Sequence, residues 1–330
     1  MTFSIDIAVL AAITLVGVAA CLALKLRRDS ARAMVPARLG HYLLAEKIGE
    51  GAMGQVYRAR DVVSGAWRAV KVLPRGASAR ERLRFENEAA LGASVRHESA
   101  VTIYDRGEAE DGTAYYAMEL IEGASLQQLV ERDGALSPAR AIGIATELCA
   151  ALAALHGQGL VHRDVKPDNV LVCRAADGAE RVKLVDFGLV KRVGGAGAEC
   201  SSDVVGTPLY LSPEAITAPE TVNAKSDLYA LGAVLYFLLS GSPVFEGRSV
   251  VEVCCQHLYS APARLGGTIS EELERVVLDC LAKDPAARPA SALELATRLA
   301  RCSGGARRGA RVARLVPRRA ALDVGCAAAA

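Results

Sequence analysis

The sequence has no C-x-x-C pair and no Cys/His cluster at metal-ligand spacing, which argues against a structural zinc site. Its nine cysteines are an odd number scattered along 330 residues, with Cys254 and Cys255 adjacent. They read as reduced thiols in a reducing compartment rather than as a disulfide framework. There is also no strong charge of one sign, since the formal net charge is only +2. That small sum hides a segregation, because residues 25–40 carry a net +4 and residues 301–330 a net +6. The body between them is therefore mildly acidic, which argues against a nucleic-acid-binding domain. A hydrophobic content of 52% excludes a disordered chain. No internal repeat and no additional domain are visible.

One long apolar run stands out. Residues 7–24 are apolar or small throughout, with only Thr14 and Gly17 as mild interruptions. At about 1.5 Å per residue the run spans roughly 27 Å, close to a hydrocarbon core of about 30 Å. No Lys or Arg precedes it, which argues against a cleaved signal peptide. The same lack argues against reading Val18-Ala19-Ala20-Cys21 as a lipoprotein site. The expectation is a retained anchor over 1–24, followed by a basic juxtamembrane linker over 25–40. Lys25, Arg27 and Arg28 would then lie on the cytoplasmic side and leave the rest of the chain in the cytosol. The six residues before the run are too few for an external ligand-binding domain. Residues 302–330, rich in Arg and Ala, read as an unstructured tail.

Between these ends the patterning changes character near residue 120. Residues 68–73 and 115–120 read as short apolar strands, with a helix over 80–94 between them. Beyond about residue 125 the chain is mostly helical, with long apolar helices over 138–156 and 227–239 and a closing helix over 291–299.

The motifs then arrive in order. Ile48, Gly49, Glu50, Gly51, Ala52, Met53, Gly54, Gln55 and Val56 form a G-x-G-x-x-G-x-V pattern between two strands. Glycines let the backbone approach phosphate oxygens and donate N–H groups to them. Because a strand should follow Gly54, this is not a dinucleotide fingerprint. Ala69-Val70-Lys71 places a lysine in an apolar strand, where an unpaired ammonium is costly, so it needs an anion. Glu88 on the following helix is a candidate, and so are phosphates. Further on come His162-Arg163-Asp164-Val165-Lys166-Pro167-Asp168-Asn169, then Asp186-Phe187-Gly188, Gly206-Thr207-Pro208 and Ser212-Pro213-Glu214.

This ordered series resembles the eukaryotic-type (Hanks-type) protein kinase superfamily, and within it the bacterial transmembrane serine/threonine kinases. The resemblance covers residues 41–301 and implies an α+β, two-lobed fold with a small β-rich lobe and a larger helical one. It also implies an enzyme that moves the ATP γ-phosphoryl group to Ser or Thr hydroxyls of proteins. Residues 48–56 would cover the phosphates, Lys71 would hold the α- and β-phosphates, and Glu88 would orient Lys71. Asn169 and Asp186 would ligate Mg²⁺, or Mn²⁺ in its place. Asp164 would accept the substrate hydroxyl proton, and Lys166 would touch the γ-phosphate. Val56, Ala69 and Leu171 would sandwich the adenine, with Met118 as gatekeeper and the Glu119 carbonyl and Ile121 N–H on the base edge. Glu214 and Arg288 would form a buried ion pair, and Asp227 would hold the catalytic-loop backbone.

Arg163 would pair with a phosphate on the activation segment, for which Ser201 and Ser202 are the candidate acceptors, with autophosphorylation in trans between two copies. Thr207 would instead face Asp164 and Lys166. Anchor and basic ends together imply a single-pass protein of the inner (plasma) membrane, with anionic lipid as a partner of the basic ends. A pseudokinase scaffold that only binds nucleotide is the rival reading, and intact Lys71, Asp164, Asn169 and Asp186 argue against it. A small-molecule phosphotransferase would lack the Ser-Pro-Glu segment. Two departures stand out. Gly92 falls where the family has an apolar side chain against Phe187, which should weaken the active position of the helix. The hydrophilic stretch 174–178 should lengthen a hairpin loop.

Overall fold

The computed structural model describes residues 38–51, 54–175, 177–192 and 207–303. The expected anchor, nearly all of the linker, Ala52, Met53, Ser201, Ser202 and the tail from residue 304 lie outside the described residues. Two compact units emerge, one of residues up to 82 with Asp105–Ala117 and the other of Leu83–Tyr104 with residues from 118 on.

The first unit is built on a sheet. Its strands are β1 (Arg38–Leu39), β2 (Tyr42–Gly51), β3 (Gly54–Asp61) and β4 (Trp67–Val72). After helix α1 (Ala79–Ser94) come β5 (Ile103–Glu108) and β6 (Ala114–Glu119), and the spatial order is β1-β2-β3-β4-β6-β5. Period-two alternation turns Leu39, Tyr42, Ala59, Val70, Val72, Tyr115 and Ala117 into one core. Arg38 and Leu39 were expected in the linker. Leu39 is instead fully buried in this core, and β1 pairs with β2 through Leu39↔Tyr42. The sequence there lacked a legible strand because two residues cannot display an alternation.

The second unit is mainly helical. It contains β7 (Gly123–Ser125), α2 (Leu126–Asp133), α3 (Pro138–His156), β8 (Leu160–Val161), β9 (Val170–Arg174), β10 (Glu180–Leu184) and β11 (Lys191–Arg192). Helices α4 (Pro213–Thr217), α5 (Ala224–Ser240), α6 (Val250–Tyr259), α7 (Glu271–Cys280) and α8 (Ala292–Cys302) follow. The β9–β10 hairpin closes beyond Arg174↔Glu180, with the Ala175 N–H donating to the Ala179 carbonyl, in the hydrophilic stretch expected to form a loop. Helix α3 is long and apolar enough to cross a membrane. It is a core helix here, with Leu148, Leu152 and Leu155 at 0% exposure and with α5 and α8 packed on it. Its all-round apolarity reflects burial on several sides. Helix α5 starts from an Asn223–Ser226 capping box and is buried at every residue from Ser226 to Leu239. The cysteines at 149, 173, 254, 255, 280 and 302 are all free thiols, and burial pushes that of Cys280 up to about 12.

A buried ion pair ties α4 to the segment before α8. Arg288 is 3% exposed and donates both terminal nitrogens to Glu214, at 2.7 and 2.8 Å. Its remaining donors reach the carbonyls of Ala282, Lys225 and Lys283, so all five N–H groups are satisfied. Burial pushes the Glu214 carboxyl up, but hydrogen bonds from Arg288 and Ser226 and the Arg288 charge outweigh it, leaving the pKa below its ordinary 4.5. Arg288→Ala should cost about 3–5 kcal/mol, because it strands a buried carboxylate. A carboxyl depressed in the folded state stabilises above its unfolded pKa, and that contribution is lost as pH falls from 4.5 through the folded value. Thermal unfolding from neutral pH to pH 3 should therefore show an acid loss in the native protein that is smaller in a Glu214→Gln variant.

Candidate active site

The loop between β8 and β9 owes its shape to one carboxylate. Asp227, in the first turn of α5, is 1% exposed. Its Oδ2 accepts the His162 N–H at 2.9 Å and faces His156 Nε2 at 2.8 Å, and its Oδ1 accepts the Arg163 N–H at 2.9 Å. Burial alone would raise its pKa, but His156, His162 and the Arg163 N–H hold it below the usual carboxylate range. Arg163 sits at φ 70° and Asp186 at φ 65°, the two non-glycine residues with positive φ among the described residues. Each such conformation costs on the order of 1–3 kcal/mol and persists only where its surroundings fix it. For Arg163 that fixing group is Asp227.

The turn imposed on Arg163 presents Asp164 to a cluster of polar groups. Lys166 Nζ lies 2.7 Å from Asp164 Oδ2, and Asn169 Nδ2 donates to the same oxygen at 2.9 Å. Asn169 Nδ2 also donates to the Asp164 carbonyl, and Thr207 Oγ1 lies 3.4 Å from Asp164 Oδ1. Thr207 therefore faces Asp164 as expected. With its amide nitrogen committed to Asp164, Asn169 is left with its carbonyl oxygen as the group able to ligate a cation. The Asp186 carboxylate accepts the Gly188 N–H at 3.1 Å. Two oxygen donors of this kind fit a hard divalent ion such as Mg²⁺. His162 is fully buried with its ring 5.7 Å from that of Phe187, and burial lowers its pKa.

The expected nucleotide residues fall on both units. On the first, the β2–β3 hairpin closes at Gly51↔Gly54, with Ile48, Gly49, Glu50, Gln55 and Val56 on its two strands. Gly54 has φ 149°, and a Cβ there would overlap the Val72 carbonyl, so only glycine fits. Val56 stands opposite Lys71 in the β3–β4 ladder, and Ala69 lies two residues before Lys71, so all three share one sheet face. Lys71 is 8% exposed, with its ammonium 5.8 Å from the Tyr116 ring centroid. On the second unit, Glu88 is buried on α1, Leu171 lies in β9, and Met118 and Ile121 pack against the cluster containing Phe187. The Glu119 carboxylate meets Lys183 at 2.8 Å, a pairing the sequence did not signal because 64 residues separate the two.

Gly92 packs closely against two neighbouring side chains. A Cβ at this position would lie 2.5 Å from Ile103 Cδ1 and 3.1 Å from Phe187 Cδ2. The missing side chain leaves no void, because Ile103 reaches into its place.

The family model described as protein kinase domain matches residues 42–298. Serine/threonine-protein kinase PknB of Mycolicibacterium smegmatis is 40% identical over 275 residues, covering 80% of this chain and 43% of the relative. Serine/threonine-protein kinase pkn3 of Myxococcus xanthus is 37% identical over 262 residues, covering 76% of this chain and 48% of the relative. The chain thus spans less than half the length of these curated relatives.

The Ile103 packing leads to a stability test. Gly92→Leu should overfill the site and destabilise the protein by about 1–3 kcal/mol in chemical denaturation. Combining it with Ile103→Ala should recover most of that loss, whereas Ile103→Ala alone should also destabilise the protein.

Proposed function

The chain belongs to the protein kinase family, and from that premise we propose that it is an active serine/threonine kinase that transfers the ATP γ-phosphoryl group to protein hydroxyls. The observation that carries this reading is the polar cluster on Asp164, held by a loop that Asp227 pins. Asp164 accepts the proton of the incoming hydroxyl and aligns its oxygen for in-line attack. Lys166, already within 2.7 Å of Asp164, supplies positive charge beside the oxygens that gain charge during transfer. Thr207 closes the other side of the carboxylate. Asn169 and Asp186 would hold Mg²⁺, which neutralises phosphate charge when bound. Lys71 and the backbone of residues 48–56 would engage the phosphates, with Glu88 orienting Lys71. Val56, Ala69 and Leu171 would enclose the adenine, paired on its edge by the Glu119 carbonyl and the Ile121 N–H. The complete set of Lys71, Asp164, Asn169 and Asp186 favours catalysis over a nucleotide-binding scaffold.

Regulation and location are part of the same proposal. Among the described residues the partly buried Arg163 guanidinium has no ion-pair partner, and burial lowers its pKa. A phosphate on Ser201 or Ser202 would bring about −1.5 to −2 charge and suit that guanidinium. Residues 7–24 would anchor the chain in the inner (plasma) membrane with the kinase domain cytoplasmic, and anchored copies would phosphorylate one another in trans. One incubation with labelled ATP and Mg²⁺ tests the catalytic reading. The native chain should yield phosphoserine or phosphothreonine, with phosphate on the segment 193–206 by mass spectrometry. Asp164→Asn should keep nucleotide binding and lose about 10²–10⁴-fold in turnover. Undiminished turnover in that variant would remove Asp164 from the role of base.

A further inference from the structure

On the same face of the first unit's sheet as Val56, Ala69 and Lys71, but at the far end of strands β3 and β4 from Gly54, lies a row of side chains that the phosphotransfer reading does not use. Arg38 stands opposite Leu43, Leu43 opposite Arg60, and Arg60 opposite Trp67, across four adjacent strands. Directly opposed residues share a face, so the row is Arg-Leu-Arg-Trp on one surface. Leu43 is 43% exposed and Trp67 38% exposed. The turn from β3 to β4 beside them shows Val62 and Val63 to solvent, Val63 at 80%. The Arg58 and Arg60 guanidinium carbons lie 4.3 and 5.4 Å from the Trp67 ring centroid. Arg58 is also paired with Glu46 at 3.3 Å. Arg38 and Arg60 have no carboxylate partner among the described residues; Arg38 donates Nε to the Gly40 carbonyl. Asp61, the nearest acidic side chain along β3, is opposite Tyr42 and so belongs to the other face of the sheet.

We infer that this Arg38–Leu43–Arg60–Trp67 row docks the first unit on an anionic lipid surface. An indole flanked by guanidinium groups and exposed aliphatic side chains suits the interface between headgroups and acyl chains. Unpaired arginines draw such a face to anionic headgroups. A second copy fits less well, because a two-fold contact would bring the same arginines together, and Glu46, the carboxylate opposite Arg58 on that face, is already paired with Arg58. The sequence also places the face near a bilayer. Thirteen residues separate the apolar run ending at Leu24 from Arg38, a reach of at most roughly 50 Å. That proximity rests on the anchor reading given above, whereas the chemistry of the row does not.

Trp67 is the only tryptophan in the chain, so its emission reports on this face alone. The full chain is reconstituted with vesicles of phosphatidylcholine, or of phosphatidylcholine containing about one quarter phosphatidylglycerol, each doped with a headgroup spin-labelled lipid. The inference expects Trp67 to shift to the blue and be quenched in the anionic vesicles and not in the neutral ones. Removing one charge should lower the docked-to-free ratio about fivefold, and Arg38→Gln with Arg60→Gln about 25-fold. Equal emission in the two vesicle types would overturn the inference, as would quenching undiminished in the double variant. An emission shift that follows protein density rather than anionic lipid would also overturn it, by assigning the face to a second copy. Flotation with neutral vesicles reads the anchor separately, and the anionic arm judges the docking face whether or not the anchor holds.

Discussion

The Asp227 carboxylate is the constraint on which the candidate active site depends, because it holds two consecutive backbone N–H groups of a loop 64 and 65 residues away. An aspartate buried to this degree would normally be expensive. Here two N–H groups and His156 satisfy its oxygens, so it remains ionised inside the core. It lies in the first turn of α5, where the helix dipole also favours negative charge. Helix α5 itself cannot easily move, since it is buried from Ser226 to Leu239 and capped at both ends. Rigidity thus passes from an apolar helix to a carboxylate, from the carboxylate to the positive φ of Arg163, and from Arg163 to the orientation of Asp164. The same helix start supplies Ser226 to Glu214, so the loop and the Glu214–Arg288 pair share one foundation.

Much of this was legible in the sequence, because local chemistry demanded particular residue types. The helix over 138–156 appears with those bounds, since Pro138 suits a first turn and Gly157 caps the C-terminus directly after His156. The strands around Lys71 and Met118 appear within one residue of expectation, because each is a short apolar run bounded by turn residues. Glu214 and Arg288 form the pair that their motifs implied, and Thr207 turns toward Asp164.

What escaped the sequence depends on packing between distant segments. His156 closes the Asp227 site from the end of α3, yet a histidine at a helix C-terminus has an ordinary local explanation in the dipole. Ile103 fills the place beside Gly92, and no local pattern relates a strand residue to a helical glycine eleven positions earlier. β1 has only two residues, and it is fixed by the burial of Leu39 rather than by any periodicity.

The central claim, that Asp227 fixes the loop carrying Asp164, is tested most directly by amide hydrogen exchange of Asp227→Asn compared with the native chain. Asparagine keeps the size of the side chain but removes the charge and one acceptor oxygen, so the loop should lose its hold without losing its neighbour. The account predicts markedly faster exchange at the His162 and Arg163 amides, with protection in the middle of α5 retained. Unchanged protection of those two amides would contradict it.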